Sequence, residues 1–377
     1  MLQQTDIERL TTLERPHRGM INIMPLQTGS ILTEAARRVL VEFGDGYSVC
    51  DYCQGRLHDI ANPPVRSFVS EMLPEFLGSD AAALTYGARD GVFMALHSVT
   101  KPGDIAVADG NRHYSTAVAA ERSGVELVTV PNSGHPEYKV SADAFSEVIR
   151  DRKPSLVILT YPDGRYGNLT DAARVGEIAV EAGVPYLVNG AYAVGRMPVR
   201  MSDLHADFIT GSGHKSMASA GPSGVLGMKA KWQDVVLRRS QLHKSKEVEC
   251  LGCTIRGVTL ATLMASFPEV VERVQHWDEQ VSKAQWFSSA MEGLGFTQLG
   301  EKPHRHDLMV FETPALYEIS QRVRERGYFL YKEMETRGIW GIKPGQTKAL
   351  ELSTFAATRE QLGQVVQAFK DILDKYR

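Results

Sequence analysis

The stretch SLVILTYPDGRYGNLTDAARVGEIAVEAGVPYLVN, residues 155–189, holds a strand, a helix and a second strand in one run. SLVILTYP (155–162) is β-branched and aliphatic, the composition of a strand. Val175, Ile178 and Ala179 then share one face of a helix over 172–181, and Gly183 supplies its stop. VPYLVN (184–189) returns to strand character. The same rhythm extends in both directions, through AAALTY (81–86), DIAVAD (104–109), VELVTVP (125–131), ADFITG (206–211) and GVLGM (224–228). Short strands alternating with helix-length segments predict an α/β fold with a mostly parallel sheet. Ligands bind beyond the strand ends of such sheets, so the loops after these runs are where chemistry is expected.

From about 259 to 291 the pattern becomes a long helical stretch, in which Pro268 predicts a kink or break. A smaller alternating region follows over 304–377, with LMVFET and IKPGQTKALELS as strands and a last helix from Arg359 to about Tyr376. The reading is an N-terminal arm (1–60), irregular and rich in Gly, Pro and Asn, a large domain (61–270) and a small α+β domain (271–377).

The chain has 377 residues, of which 43% are apolar and 23% charged, an ordinary globular composition. Lys and Arg total 42 against 45 Asp and Glu, a net charge of −3 that gives no global attraction to nucleic acid. MLQQTDIERLTTLERPHRG carries charge throughout and shows no apolar leader, and no run is long enough to span a bilayer. A soluble cytoplasmic protein with no membrane partner is expected. Four cysteines are too few to staple a chain this long, and in a reducing compartment they read as metal-binding or chemical residues.

The most informative loop lies in ITGSGHKSMASAGPSGVLGM (209–228), where a strand delivers Ser212, Gly213, His214 and Lys215 into a glycine-rich turn. A lysine beyond a buried strand end and beside a histidine can have a lowered pKa and serve as the amine of Schiff-base chemistry. A solvated surface lysine is the competing reading of this window alone. TYGARDGVFMAL (85–96) is a strand, a Gly-Ala-Arg turn and a helix start, a layout that turns backbone N–H groups toward an anion. NRHYST (111–116) sets His113 and Tyr114 after a strand, where a ring could stack on a planar cofactor. LVNGAYAVG (187–195) ends a strand in Asn189, placed to bond the ring nitrogen of a cofactor lying across the strand ends.

Phosphate cradle, stacking ring, nitrogen partner and lysine follow one another in the order of pyridoxal-phosphate enzymes with the aspartate-aminotransferase fold (fold type I). In detail the chain resembles the archaeal O-phosphoseryl-tRNA:cysteinyl-tRNA synthase family. The resemblance runs from INIMPLQTGS (21–30) through YSVCDYCQGRLHDIANPPV (47–65), GARDG, NRHYS, TYPDGRYGN, VNGAY and GSGHKS to ECLGCTIRG (249–257). It implies a homodimer with a seven-stranded large domain, pyridoxal phosphate on Lys215, and cofactor contacts from Ala88, Arg89, Asn189, Ser212, Gly213 and His214, with His113 over the ring. Most aminotransferases set an Asp against the pyridine nitrogen. The neutral Asn189 makes a shallower electron sink, which suits an elimination in which a leaving group departs with the electrons.

Cys50 and Cys53 form one C-x-x-C pair and Cys250 and Cys253 a second. Zinc modules hold both pairs close in sequence, so the long gap weakens a structural zinc site. An iron-sulfur cluster tolerates distant ligands, and a sulfur relay would carry a persulfide toward the cofactor. Burial as small apolar residues is the remaining alternative. The resemblance implies a chemical role for Cys50, Cys53 and one cysteine of the second pair, matched to Cys253, as cluster ligands or persulfide carriers; in a cluster Cys250 would be the fourth ligand.

The expected reaction replaces the phosphate of tRNA-bound phosphoserine by sulfur, giving cysteinyl-tRNA(Cys). Lys215 exchanges its bond to the cofactor for the substrate amine and takes the α-proton, while Arg89, His113 and Tyr114 hold the departing phosphate. KAKWQDVVLRRSQLHKSK (229–246) sets Lys229, Lys231, Arg238, Arg239, Lys244 and Lys246 against Asp234, a stripe that could face the tRNA or simply be a solvated helix face. The resemblance also makes the phosphoseryl-tRNA ligase an expected partner. Three alternatives stand beside this reading: a cysteine desulfurase or selenocysteine lyase, phosphoseryl-tRNA to selenocysteinyl-tRNA conversion, and a non-catalytic tRNA or iron-sulfur scaffold. The desulfurase is disfavoured because no cysteine follows Cys253 and because Glu351 stands where those enzymes place a carboxylate-clamping Arg.

Overall fold

Successive side chains along the central strands alternate between two apolar layers. Leu84, Val107, Val157, Leu159, Val188, Ile209 and Val225 enter one, while Ala83, Ala106, Ala108, Ile158, Leu187, Phe208 and Leu226 enter the other. Burial on both faces is why these strands read as unbroken apolar runs. The computed structural model describes residues 8–25, 28–45, 65–252 and 257–377.

A two-residue strand, β1 (Ile21–Asn22), precedes the main sheet. The sheet itself is built from β2 (Ala81–Thr85), β3 (Ile105–Asp109), β4 (Glu126–Val130), β5 (Leu156–Thr160), β6 (Tyr186–Asn189), β7 (Phe208–Ser212) and β8 (Gly224–Met228). Their spatial order is β2-β8-β7-β6-β5-β3-β4, and only β8 runs against its neighbours. The expected mostly parallel, seven-stranded α/β sheet is the observed one. Helix Ala172–Glu181 forms where its periodicity predicts, with the Asp171 side chain accepting from the Arg174 N–H as its N-cap. It buries Val175, Ile178 and Ala179 against the first layer; helix Ala88–Val99 buries Val92, Ala95 and Leu96 against the second.

Pro268 does not break the chain. It lies inside a continuous helix, Val258–Val274, whose Leu260, Leu263 and Val270 are buried in the first layer with Phe267 packed against it. Burial of that face offsets the missing N–H and the crowding of the preceding turn. The chain turns instead at Gln275 and His276, before helix Trp277–Glu292. From that helix onward a separate apolar cluster begins. It joins Phe287, Met291 and Phe296, which precedes β9 (Thr297–Leu299), to β10 (Leu308–Glu312), β11 (Ile339–Trp340), β12 (Ala349–Ser353) and helix Arg359–Lys375. β12, β10 and β9 form an antiparallel sheet in that order.

Among its described residues the N-terminal segment carries regular structure that its composition does not predict. β1 pairs in parallel with β11, Ile23 is buried in the second cluster, and helix Glu34–Glu42 forms behind the Thr33 cap. Among the described residues no helix is long and apolar enough to cross a membrane.

Candidate active site

The carboxyl ends of the parallel strands converge on a cavity of about 280 Å3. Gly87, just past β2, has φ +115°, a region that favours glycine, and a Cβ there would stand 3.0 Å from His214 Cε1. Helix Ala88–Val99 starts at once behind it, so Ala88 and Arg89 occupy a helix N-terminus at the cavity wall. His113 caps helix Tyr114–Ser123. Asn189 is the last residue of β6 and Ser212 the last of β7, and a single helical turn, Gly213–Ser216, carries His214 and Lys215. Ala88, Arg89, His113, Tyr114, Asn189, Ser212, His214 and Lys215 all line this one cavity, and Gly213 lies in the turn behind them.

Lys215 is largely withdrawn from water. Burial, then the nearby charges of Arg196 and Arg89, lower its amine to about 8. Its Nζ donates to the Tyr192 hydroxyl at 3.3 Å and lies 4.5 Å from the centre of that ring. Burial pushes the Tyr192 phenol up to about 12, so the contact is made by a neutral hydroxyl.

His113 is neutral as well. Burial, then Lys215 and Arg89, bring it down to about 4. Its Nδ1 accepts from the Ser115 backbone N–H at 3.3 Å and lies 2.7 Å from Ser115 Oγ. That bond leaves the ring proton on Nε2, so His113 offers an N–H donor rather than the positive charge its residue type suggests. The Tyr114 ring leans on it, with centroids 4.2 Å apart.

Two buried polar atoms of the cavity, Asn189 Oδ1 and Ser212 Oγ, have no hydrogen-bond partner among the described residues. Buried groups of this kind ordinarily find partners, and both lie where a ligand would meet them. An amine of lowered pKa, an unsatisfied amide, a free hydroxyl and a helix N-terminus beside Arg89 are the donor set that pyridoxal phosphate requires, so the residues present fit that group.

Behind Lys215 lies a network that sequence reasoning missed. Arg196 and Asp307 form an ion pair of 2.6 Å with no solvent exposure on either side. Although burial pushes the Asp307 carboxyl up, Arg196 and then His306 hold it below the usual carboxylate range. Arg196 also donates to Ser216 Oγ at 3.2 Å and to Thr28 Oγ1 at 3.4 Å, while Asp307 accepts from Ser353 Oγ at 2.8 Å. A Cβ at Gly29 would overlap the Lys215 carbonyl, so the N-terminal segment packs directly on the lysine turn. Two further cavity residues were not anticipated: Thr160 ends β5 and Tyr192 follows β6, and the only available signal was their position at a strand end.

Cys50, Cys53 and Cys253 lie outside the described residues. Cys250 is partly buried and packs against the second layer of the large sheet. Among the described residues no three His, Cys, Asp or Glu side chains gather as a metal site would need. The basic stripe is not one helix face: only Ala230–Val236 is helical. Lys231 and Lys229 approach Asp207 at 2.8 and 3.5 Å, and Arg238 bonds Glu249 at 3.0 Å. Local acids thus offset part of the charge that the linear count assigns to a partner.

The family model described as O-phosphoseryl-tRNA(Sec) selenium transferase matches residues 98–373. The chain is 52% identical to the O-phospho-L-seryl-tRNA:Cys-tRNA synthase of Methanosarcina mazei, covering 100% of this chain and 99% of that one. It is 50% identical to the corresponding synthase of Methanothermobacter thermautotrophicus, covering 96% and 97%. Among solved structures, a complex of SepCysS with the N-terminal domain of SepCysE superposes with a TM-score of 0.93 at 42% identity over 100% of both chains. A cysteine desulfurase from Thermococcus onnurineus superposes with a TM-score of 0.77 at 16% identity, over 100% and 99%, a likeness of fold alone. On full-length identity of this order, the chain belongs to the O-phospho-L-seryl-tRNA:Cys-tRNA synthase family.

Proposed function

We propose that the protein converts O-phosphoseryl-tRNA(Cys) to cysteinyl-tRNA(Cys), with pyridoxal phosphate bound at Lys215. The observation that carries the reading is the lowered amine of Lys215, set in one cavity with the unsatisfied Asn189 amide in a chain of this family. Bound pyridoxal phosphate supplies an electron sink joined to the substrate's α-carbon, which makes the α-proton removable.

The residues then have distinct tasks. Lys215, with a usable neutral fraction near pH 8, accepts the α-proton and later returns it. Tyr192 holds its Nζ in place. Asn189 gives the ring nitrogen a neutral partner, and Ala88, Ser212, Gly213 and His214 hold the cofactor. As the Cβ–O bond breaks, phosphate leaves with the electron pair, met by Arg89, the Nε2–H of His113 and the Tyr114 hydroxyl. Sulfur at the oxidation level of sulfide forms the new bond to Cβ, and Cα regains a proton. In this reading Cys50, Cys53 and Cys253 deliver the sulfur, either as ligands of an iron-sulfur cluster that Cys250 completes or as a persulfide relay, in which the outer persulfide sulfur bonds Cβ and a second cysteine thiolate then breaks the S–S bond, so that two protein thiols close to a disulfide and the sulfur on Cβ is left at the sulfide level. The chain acts in the cytoplasm as a homodimer, with residues 61–270 as the cofactor domain and 271–377 as the small domain. The phosphoseryl-tRNA ligase is a partner, and the 229–246 stripe meets tRNA phosphates.

An anaerobic single-turnover assay with phosphoseryl-tRNA and sulfide, read by mass of the tRNA-bound amino acid, tests this. Cysteinyl-tRNA is expected from the wild type and not from Lys215→Ala, and Cys253→Ser is expected to lose most of the product. A wild type that binds pyridoxal phosphate but releases sulfur from free cysteine instead would move the assignment to a desulfurase.

A further inference from the structure

Beside the cavity that holds Lys215 lies a second, more open depression of about 340 Å3, and the two share Arg89, Tyr114 and Ser115 as a common wall. Its remaining lining includes Tyr86, Phe93, Val118 and Arg122. Three large apolar or aromatic side chains gather here in the open: Tyr86 is 47% exposed, Tyr114 62% and Val118 55%. The Arg122 guanidinium stands 4.2 Å above the Phe93 ring. Exposed tyrosine rings in a depression lined by Arg89 and Arg122 suit a nucleobase with its phosphate: bases stack on such rings whatever their identity, and arginines meet the backbone charge.

We propose that this depression seats the 3′-terminal nucleotide of the substrate tRNA, an inference that rests on the tRNA substrate argued above. The phosphoseryl group is esterified to the terminal ribose. When its side chain occupies the cavity at Lys215, only the ester and that ribose separate it from the terminal base, so the base must lie at the cavity rim. The shared wall of Arg89, Tyr114 and Ser115 is that rim. With a net charge of −3 the chain offers no broad electrostatic hold on tRNA, which makes a local grip on its reacting end the more valuable.

The test is equilibrium titration of the holoenzyme with uncharged tRNA that is either intact or trimmed of its terminal adenosine. Tyr86→Ala and Val118→Glu are the variants, since both residues line the depression and neither lines the cavity. The wild type is expected to bind the trimmed tRNA about tenfold more weakly, the value of one stacked base. Each variant is expected to bind the intact tRNA about tenfold more weakly and to have lost the distinction. Far-UV circular dichroism and borohydride trapping at Lys215 establish that the variants are folded and loaded. Indifference of a tRNA-binding wild type to trimming overturns the site while leaving the substrate intact. A full trimming effect retained in both variants also overturns it, as does a change of subunit association in the variants with that effect unaltered, which would assign the patch to a second copy of the chain. Failure of the wild type to bind tRNA at all removes the substrate class and the site together.

Discussion

The lowered amine of Lys215 comes at a cost in folding. Burial, followed by the charges of Arg196 and Arg89, takes its amine from 10.5 to about 8. The unfolded chain therefore holds that proton more tightly across the window from about 8 to 10.5. The resulting loss of stability is fully present below pH 8 and is recovered as pH rises toward 10.5. At pH 7 it is on the order of 3 kcal/mol. Lys215→Met, which keeps the volume and removes the charge, is expected to stabilise the apo-protein at pH 7 by about 1–3 kcal/mol in urea titrations while abolishing turnover. A variant less stable than the wild type at pH 7 would contradict this account of the lysine. His113 teaches a related lesson. That it belongs to the site was legible from its place after a strand, but its charge state was not, because neutrality is imposed by burial and by a Ser115 N–H that only the folded cap brings to Nδ1.

At the level of elements, β3 and β5 are joined next to the cavity by a buried carboxylate. Asp109 ends β3, and its Oδ2 accepts the backbone N–H of Thr160, the last residue of β5, at 2.8 Å. Burial pushes its carboxyl up to about 7. The folded state thus favours the protonated acid, and this contribution to stability falls as pH rises from about 4 to about 7, then levels off. Asp109→Asn keeps an oxygen for the Thr160 N–H and carries no charge, so its stability relative to the wild type should increase across that pH range, as read by thermal unfolding. A difference that does not change with pH would count against a raised carboxyl. The strands themselves were legible because both faces of the sheet are buried, which writes each as a continuous apolar run. That helix 258–274 runs unbroken through Pro268 was not legible, since a local rule about the missing N–H says nothing of the apolar face that holds the helix in place. Part of the charge of the basic stripe was illegible for a related reason. Its partners, Asp207 and Glu249, reach it through the fold or lie just past the window in which charge was counted.

On the scale of the whole molecule, the Arg196–Asp307 pair joins the N-terminal segment, through Thr28, and the small sheet, through Ser353, to the lysine turn, through Ser216. None of this was legible in sequence, because residues so far apart in the chain acquire meaning as a pair only once the fold makes them neighbours. A buried pair is costly to break one-sidedly. Asp307→Ala is expected to destabilise the protein by about 3–5 kcal/mol in chemical denaturation, whereas Arg196→Met combined with Asp307→Leu should recover most of that loss. Equal destabilisation by the single and the double variant would show that the pair matters through packing and not through charge. Whether Lys215 is the amine that holds pyridoxal phosphate in the cavity at the strand ends is decided by borohydride reduction of the purified holoenzyme followed by peptide mass mapping. One reduced pyridoxyl adduct is expected, on the peptide bearing Lys215, and none in Lys215→Ala; an adduct on another lysine, or none in a protein shown to bind the cofactor, would overturn the assignment.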